Sequence, residues 1–343
     1  MEQPLLRLGL LGFSDEVGLR LQALASEQRE GWPRWRCCDP HLADAWMING
    51  SAVKVLGRDE LVIAHPFGSD ERLTLHRAEV DRPLAFASPL PEGFASAEFF
   101  DAGDEHSVRQ RLQRFEAWLR PLRSQFALGE TIASRKEWLR DVVHVELEGK
   151  LLAVLDFARW QAGILVPARP VELSMAEWLP RPVTGNDIPA SFIRLPLHRV
   201  MWIYAVRTAT DVLPERYRSK RIYLRRVPMV PARWFGPEHL ELMRILTHTP
   251  STFAELQERT GLDQAELAHG LAALFHSGGL TTDADSARRA EDQTRLSINL
   301  LKLDGDETDS DLKDRIRSSD QFAPSSILRE AKHSPLHTSN RKP

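Results

Sequence analysis

At 343 residues the chain exceeds what one hydrophobic core usually serves, so two or three domains are expected. Apolar residues at 42% and charged residues at 27% are the proportions of an ordinary globular protein, which excludes a wholly disordered or fibrous chain. A net charge of −3 exerts no general pull toward nucleic acid or an anionic membrane, so either partner would need a local basic patch.

The two cysteines, Cys37 and Cys38, are neighbours, which is poor geometry for a framework disulfide and fits a reducing compartment. No basic start leads into a long apolar run, and no apolar run reaches the ~18–20 residues of a membrane span. A cytoplasmic protein without membrane insertion is expected.

In chain order, LLRLGLLGF (5–13) is a compact apolar run without helical spacing, the pattern of a buried parallel strand. Ser14 or Asp15 caps the following helix, with Val17, Leu19, Leu21, Leu24 and Ala25 as its apolar positions. WRCC (35–38) predicts a second strand, PHLADA (40–45) a helix-like turn, and WMING (46–50) the edge of a third strand. Residues 84–88 and 97–100 are further strands, and 105–122 an amphipathic helix with Val108, Leu112, Phe115 and Leu119 on one stripe. This alternation predicts a doubly wound α/β domain over 1–125. Between its third and fourth strands, residues 51–82 alternate like an inserted hairpin.

This order of elements resembles the receiver domain of two-component response regulators over roughly residues 5–122. A receiver places an acidic pair after its first strand to hold Mg²⁺ and a phosphoacceptor aspartate after its third. A Ser/Thr follows its fourth strand and a Lys its fifth. On this chain the acidic pair falls on Ser14 and Asp15, half kept. The phosphoacceptor position falls near Asn49, an amide that cannot form an acyl phosphate, and Ser88 matches the hydroxyl. No lysine stands near Phe100-Asp101. The resemblance implies a pseudo-receiver that keeps a binding surface without phosphoryl chemistry; an unrelated α/β domain fits the same residues. Gly9, Gly12 and Gly18 miss G-x-G-x-x-G, and no G-x-x-x-x-G-K-[ST] occurs, so neither familiar phosphate loop is present.

Residues 126–235 predict a mixed α+β domain. A short helix starts at Ala127 and carries Glu137, Trp138 and Arg140 near its end. VVHVELEGK (142–150) alternates Val143, Val145 and Leu147 against His144, Glu146 and Glu148, a half-buried strand closed by Gly149. His144, Glu146 and Asp156 lack metal-ligand spacing and are better explained as polar residues on an exposed strand face, so neither metal nor other cofactor is expected. PRPVTGND (180–187) has loop composition, and LHRVMWIYAVRT (197–208) predicts a buried helix with Val200, Met201, Tyr204 and Ala205 at helical spacing.

The one concentration of like charge is Arg216, Arg218, Lys220, Arg221, Arg225 and Arg226, with Tyr217 and Tyr223 interleaved. If 221–227 is a strand, Arg221, Tyr223 and Arg225 share a face, able to hold an anionic ligand or stack a base. Arg221 and Arg225 also have the R-x-x-x-R spacing of some cyclic dinucleotide receptors, without the accompanying D/N-x-S-x-x-G element. A solvated basic face paired with acidic neighbours is the plainer explanation, and protein docking the best functional one.

Residues 236–282 have the outline of a winged helix. Pro237 opens a first helix, Thr252 with Glu255 and Asp263 with Glu266 form capping boxes, Gly261 makes the turn, and Gly278-Gly279 stops the third helix. A DNA reader presents Arg, Lys, Asn or Gln on that helix. QAELAHGLAALFH (264–276) has no Lys or Arg, and six acidic residues of the module (Glu238, Glu241, Glu255, Glu258, Asp263, Glu266) face only Arg244 and Arg259. Such a surface repels a phosphate backbone. The module is similar to the protein-interaction winged helices appended to bacterial signalling proteins. Residues 283–343 read as a disordered tail with apolar islands at 295–303 and 325–333.

The expected function is therefore a non-catalytic, bacterial-type signalling or scaffold protein that engages other signalling proteins. The alternatives are a DNA-binding regulator gripping through 216–226 and a cyclic dinucleotide effector using Arg221 and Arg225.

Overall fold

A computed structural model describes residues 2–27, 32–56, 60–64, 72–76, 80–91, 98–135, 142–181 and 188–290, and every structural statement below concerns these. They divide into two compact units. One holds 7–26 and 37–119; the other holds 2–6, the described part of 27–36, and 120–290. The division passes inside the first and second strands.

The N-terminal unit is built on a parallel sheet. Its strands are β1 (Leu5–Leu11), β2 (Arg34–Cys37), β3 (Ala45–Asn49), β7 (Leu84–Ala87) and β8 (Phe99–Phe100), in the order β2-β1-β3-β7-β8. β3 is no edge: it lies between β1 and β7, in register Leu11 with Ile48 and Asn49 with Ala87, and Ala45 to Ile48 are all buried. Helix α1 (Asp15–Ser26) follows β1, and α2 (Glu105–Trp118) follows β8 and packs on α1. The expected stripe of α2 is in place, with Val108, Leu112, Phe115 and Leu119 buried. On α1, Leu21 and Ala25 are buried whereas Leu19 is exposed.

The doubly wound expectation needs correction on one face. A 3-10 turn at Pro40–Leu42 stands where a helix would follow β2. Between β3 and β7 the chain forms not a hairpin but a three-stranded antiparallel sheet, β4 (Val53–Val55), β5 (Glu60–Ala64) and β6 (Arg72–His76). Side chains alternate along a strand, so Leu61 and Ile63 share one face of β5. With Val53 and Leu75 they pack on Trp46, Ile48 and Phe86 of the parallel sheet. That face is closed by a β-layer because the intervening sequence has a period of two.

The main stretch of the second unit, from residue 120 onward, begins with α3 (Arg120–Ser134). The expected helix over 105–122 breaks at Leu119, because Pro121 can begin a helix but cannot continue one. An antiparallel sheet follows, β9 (Val142–Leu147), β10 (Lys150–Asp156), β11 (Gln161–Leu165), β12 (Glu177–Arg181) and β13 (Phe192–Pro196), in the order β12-β9-β10-β11-β13. Short α4 (Pro170–Met175) and buried α5 (Leu197–Ala205) pack on α3. At the α3–α5 crossing Gly129 is obligatory, since a Cβ there would sit 2.5 Å from Tyr204 Cβ. Glu137, Trp138, Arg140 and most of the 180–187 loop fall outside the described residues.

The chain continues through α6 (Arg216–Ser219), β14 (Tyr223–Leu224), α7 (Pro237–His248), α8 (Phe253–Thr260), α9 (Gln264–His276) and β15 (Leu280–Thr281). Both expected capping boxes are present, and Gly261 caps α8 in the left-handed region at φ 69°. The segments read as separate middle and winged-helix domains share one core. Trp202, Ala205 and Val206 at the end of α5 cluster with Leu242, Ile245, Leu256, Leu267, Leu271 and Leu274. The tail begins with helix over 284–290, while the islands at 295–303 and 325–333 lie outside the described residues. No described helix is long and apolar enough to cross a membrane.

Candidate functional site

Parallel strands end together, so the C-terminal edge of the first sheet is where a receiver-like active site would be assembled. Asn49 closes β3 there. Its amide Nδ2 donates to the Gly12 carbonyl at 2.8 Å, and its Oδ1 accepts from the Ser51 amide at 3.2 Å. Gly12 itself turns the chain out of β1 at φ 72°. Beside Asn49, Gly50 is buried so tightly that a Cβ would lie 2.3 Å from the Ala87 carbonyl and 2.4 Å from that of Pro89. Ser14 and Asp15 are exposed at the start of α1, where the Ser14 carbonyl accepts from Gly18. Ser88 is exposed, and its amide donates to the Phe100 carbonyl. Asn49 thus works as a clamp between two loops.

The basic segment does not form one strand face. Only Tyr223 and Leu224 form β14, which pairs with β15, while Ile222 bridges Ser251 and is fully buried. Its cations then diverge. Arg216 lies over the rings of Tyr217 and Phe275. Arg218 pairs with Asp211 and covers Phe253. Arg221 donates to the Pro250 carbonyl at 2.9 Å and reaches Glu255 at 3.5 Å. Arg221 is thus engaged at the α8 end of the module. Lys220 and Arg225 are exposed.

Arg226 turns inward. Its Nη2 donates to Nε2 of His198 on the first turn of α5, and His198 is only 6% exposed. Trp160, at the end of the β10–β11 loop, stacks on the imidazole at 5.2 Å and 30° while remaining 40% exposed. Burial, then the charges of Arg226 and Arg225, push the His198 pKa down to about 4. The same burial lowers the pKa of Arg226. His198 and Trp160 went unread in the sequence because the only signals, a histidine in an apolar helix and a tryptophan after a strand, are those of ordinary core residues.

Helix α9, the element that would enter a DNA groove, is exposed only over its first turn, Gln264–Glu266. From Leu267 to Leu274 its side chains, apart from partly covered His269, are buried in the shared core, and α5 packs along it. The exposed first turn carries Glu266 and neither Lys nor Arg. The acidic side chains of α7 and α8 remain on the surface.

Other chemistry-bearing groups are committed locally. Asp156 accepts from the Arg159 amide and guanidinium, while His144 and Glu146 contact each other at 3.5 Å on β9. Among the described residues no group of three His, Cys, Asp or Glu side chains could hold a metal ion. Burial, then Cys38, raises the Cys37 thiol pKa to about 11, so it stays protonated at neutral pH. No family model, curated protein or solved structure matches this chain.

Proposed function

We propose that the chain is a non-catalytic signalling or scaffold protein that works by binding other proteins. Its first unit is a receiver-like domain that does not take up phosphate, and residues 236–282 form an interaction module of winged-helix type. The observation that carries this reading is the double commitment of Asn49 to Gly12 and Ser51. The group at the phosphoacceptor position is chemically inert and mechanically occupied. The sheet order, with the first strand between the second and third, supports the receiver likeness, since it is the order of flavodoxin-like folds.

On the interaction module, burial of α9 leaves the outer sides of α7 and α8 for a partner. Leu240 is 53% exposed there, and Glu255 and Glu258 are exposed on α8. An apolar anchor beside carboxylates suits a partner surface with a hydrophobic pocket and a basic rim. The receiver half of the proposal is tested by incubating the full chain with Mg²⁺ and acetyl phosphate and reading the intact mass. No phosphorylated species is expected; an acid-stable mass with a base-labile aspartyl phosphate would overturn it.

A further inference from the structure

The contact between Arg226 and His198 has a forced proton arrangement. A guanidinium only donates, so Nε2 of the imidazole must accept, and the ring proton resides on Nδ1. Nδ1 is enclosed and has no hydrogen-bond partner, and the same holds for Nε of Arg226. Two buried donors therefore stand in one cluster without an acceptor. No carboxylate contacts Arg226 or Arg225 among the described residues, although the charge of Arg225 is felt at both His198 and Arg226. Buried cations and donors are ordinarily matched by an anion or acceptor. Among the described residues no side chain supplies that group to His198 Nδ1 or Arg226 Nε.

The backbone shows the cluster to be constructed. The amides of Arg225 and Arg226 both point at the Gly279 carbonyl, at 2.7 and 3.4 Å, the two-against-one arrangement by which a bulge re-aims side chains. Gly278, at φ 78°, lets the Arg226 guanidinium approach its Cα; an added Cβ would meet Nη2 at 2.9 Å. Trp160 is held at φ 54°, a left-handed conformation unfavourable for a bulky residue, with its carbonyl accepting from Leu197 at 2.9 Å. In this conformation the indole lies over His198 while Trp160 stays partly open to solvent.

We propose that Arg225, Arg226 and His198 form a binding site for a phosphate group, with Trp160 as its aromatic wall. The arginines supply the charge, Arg226 Nε–H and His198 Nδ1–H supply donors, and the exposed part of the indole accepts a base when the phosphate belongs to a nucleotide. Inorganic phosphate and a nucleoside monophosphate are the two sources of this chemistry.

Calorimetry of the full chain at low ionic strength, with inorganic phosphate in one arm and adenosine monophosphate in the other, tests the proposal. Saturable binding of at least one is expected. Arg225→Gln, at an exposed side chain with no ion-pair partner among the described residues, should weaken it about tenfold, and His198→Phe should weaken it by at least as much. Trp160→Gly suits the left-handed backbone and should reduce adenosine monophosphate to the affinity of phosphate while leaving phosphate unchanged. If neither probe binds, or if Arg225→Gln binds both as the unaltered chain does, the proposal fails. The outcome is independent of whether the N-terminal unit is phosphorylated by acetyl phosphate.

Discussion

The side-chain amide of Asn49 and the carbonyl of Gly12 are joined at 2.8 Å, tying the end of β3 to the turn that leaves β1. Replacing the amide by a carboxylate turns a donor into an acceptor that faces another acceptor. Asn49→Asp is expected to destabilise the N-terminal unit by about 2–3 kcal/mol, combining the lost bond with the repulsion that replaces it. The variant places at this position the residue type that a receiver carries, without a receiver's chemistry, because Asp15 stands without a second acid at the Ser14 position. Chemical denaturation gives the first quantity, and intact mass after treatment with acetyl phosphate should show no gain.

Gly50 is held by contacts to backbone atoms, which cannot move aside as a flexible side chain can. With the Ala87 and Pro89 carbonyls 2.3 and 2.4 Å from the position of a Cβ, Gly50→Ala must displace the β7 exit. A loss of about 3 kcal/mol or more is expected, at the upper end for overpacking. The same substitution at Gly18, where no atom lies within 4 Å, should be stabilising by a few tenths to about 1 kcal/mol, since Gly18 lies inside α1. Urea unfolding of the two variants side by side separates the effects.

The β9–β10 connection is a two-residue hairpin loop, Glu148-Gly149, closed by the Leu147–Lys150 pair with φ of 51° and 78°. Both positive angles belong to a type I′ turn, which favours Asn-Gly. Glu148 is exposed and accepts the left-handed region poorly. Glu148→Asn should stabilise the second unit by about 0.5–1 kcal/mol. A rise in the denaturation midpoint with unchanged slope checks it.

His198 ties stability to pH. Its folded-state pKa of about 4 lies below the ordinary 6.5, because the ring is buried against Trp160 and faces Arg226 and Arg225. Between those values the unfolded chain takes up a proton that the folded chain refuses. The stabilisation is complete above pH 6.5 and is lost as pH falls toward 4, by at most about 3 kcal/mol. His276 acts in the same direction, its pKa lowered chiefly by burial. His198→Gln, which keeps an acceptor for Arg226, should flatten the stability profile over this range; an unchanged profile would show that other groups set it.

Local patterns in the sequence were informative wherever a residue's own chemistry fixes the backbone. Thr252–Glu255 and Asp263–Glu266 cap their helices as their spacing implies, and Val108, Leu112 and Phe115 fall on the buried stripe of α2. Where partners come from distant sequence, patterns misled. Arg221 and Arg225 are four apart, yet one is drawn to Glu255 and the other left in solvent. The absence of Lys and Arg from α9 and the acidic balance of the module around it are legible in the sequence, whereas the burial of Leu267–Leu274 and the packing of α5 on α9 depend on tertiary structure. Likewise the period-two alternation over 51–82 is shared by a hairpin and by the three-stranded sheet that forms there, and cannot tell two strands from three.

The most direct test of a protein-binding function is crosslinked purification of the full chain from its own cells, beside a Leu240→Asp, Glu258→Lys double variant. Both substitutions lie on exposed positions and should leave the fold intact. The expected result is a protein recovered in near-equal molar amount, crosslinked to α7 or α8, and depleted with the double variant. Recovery of the chain without a stoichiometric protein partner, or capture unaffected by both substitutions, would contradict it.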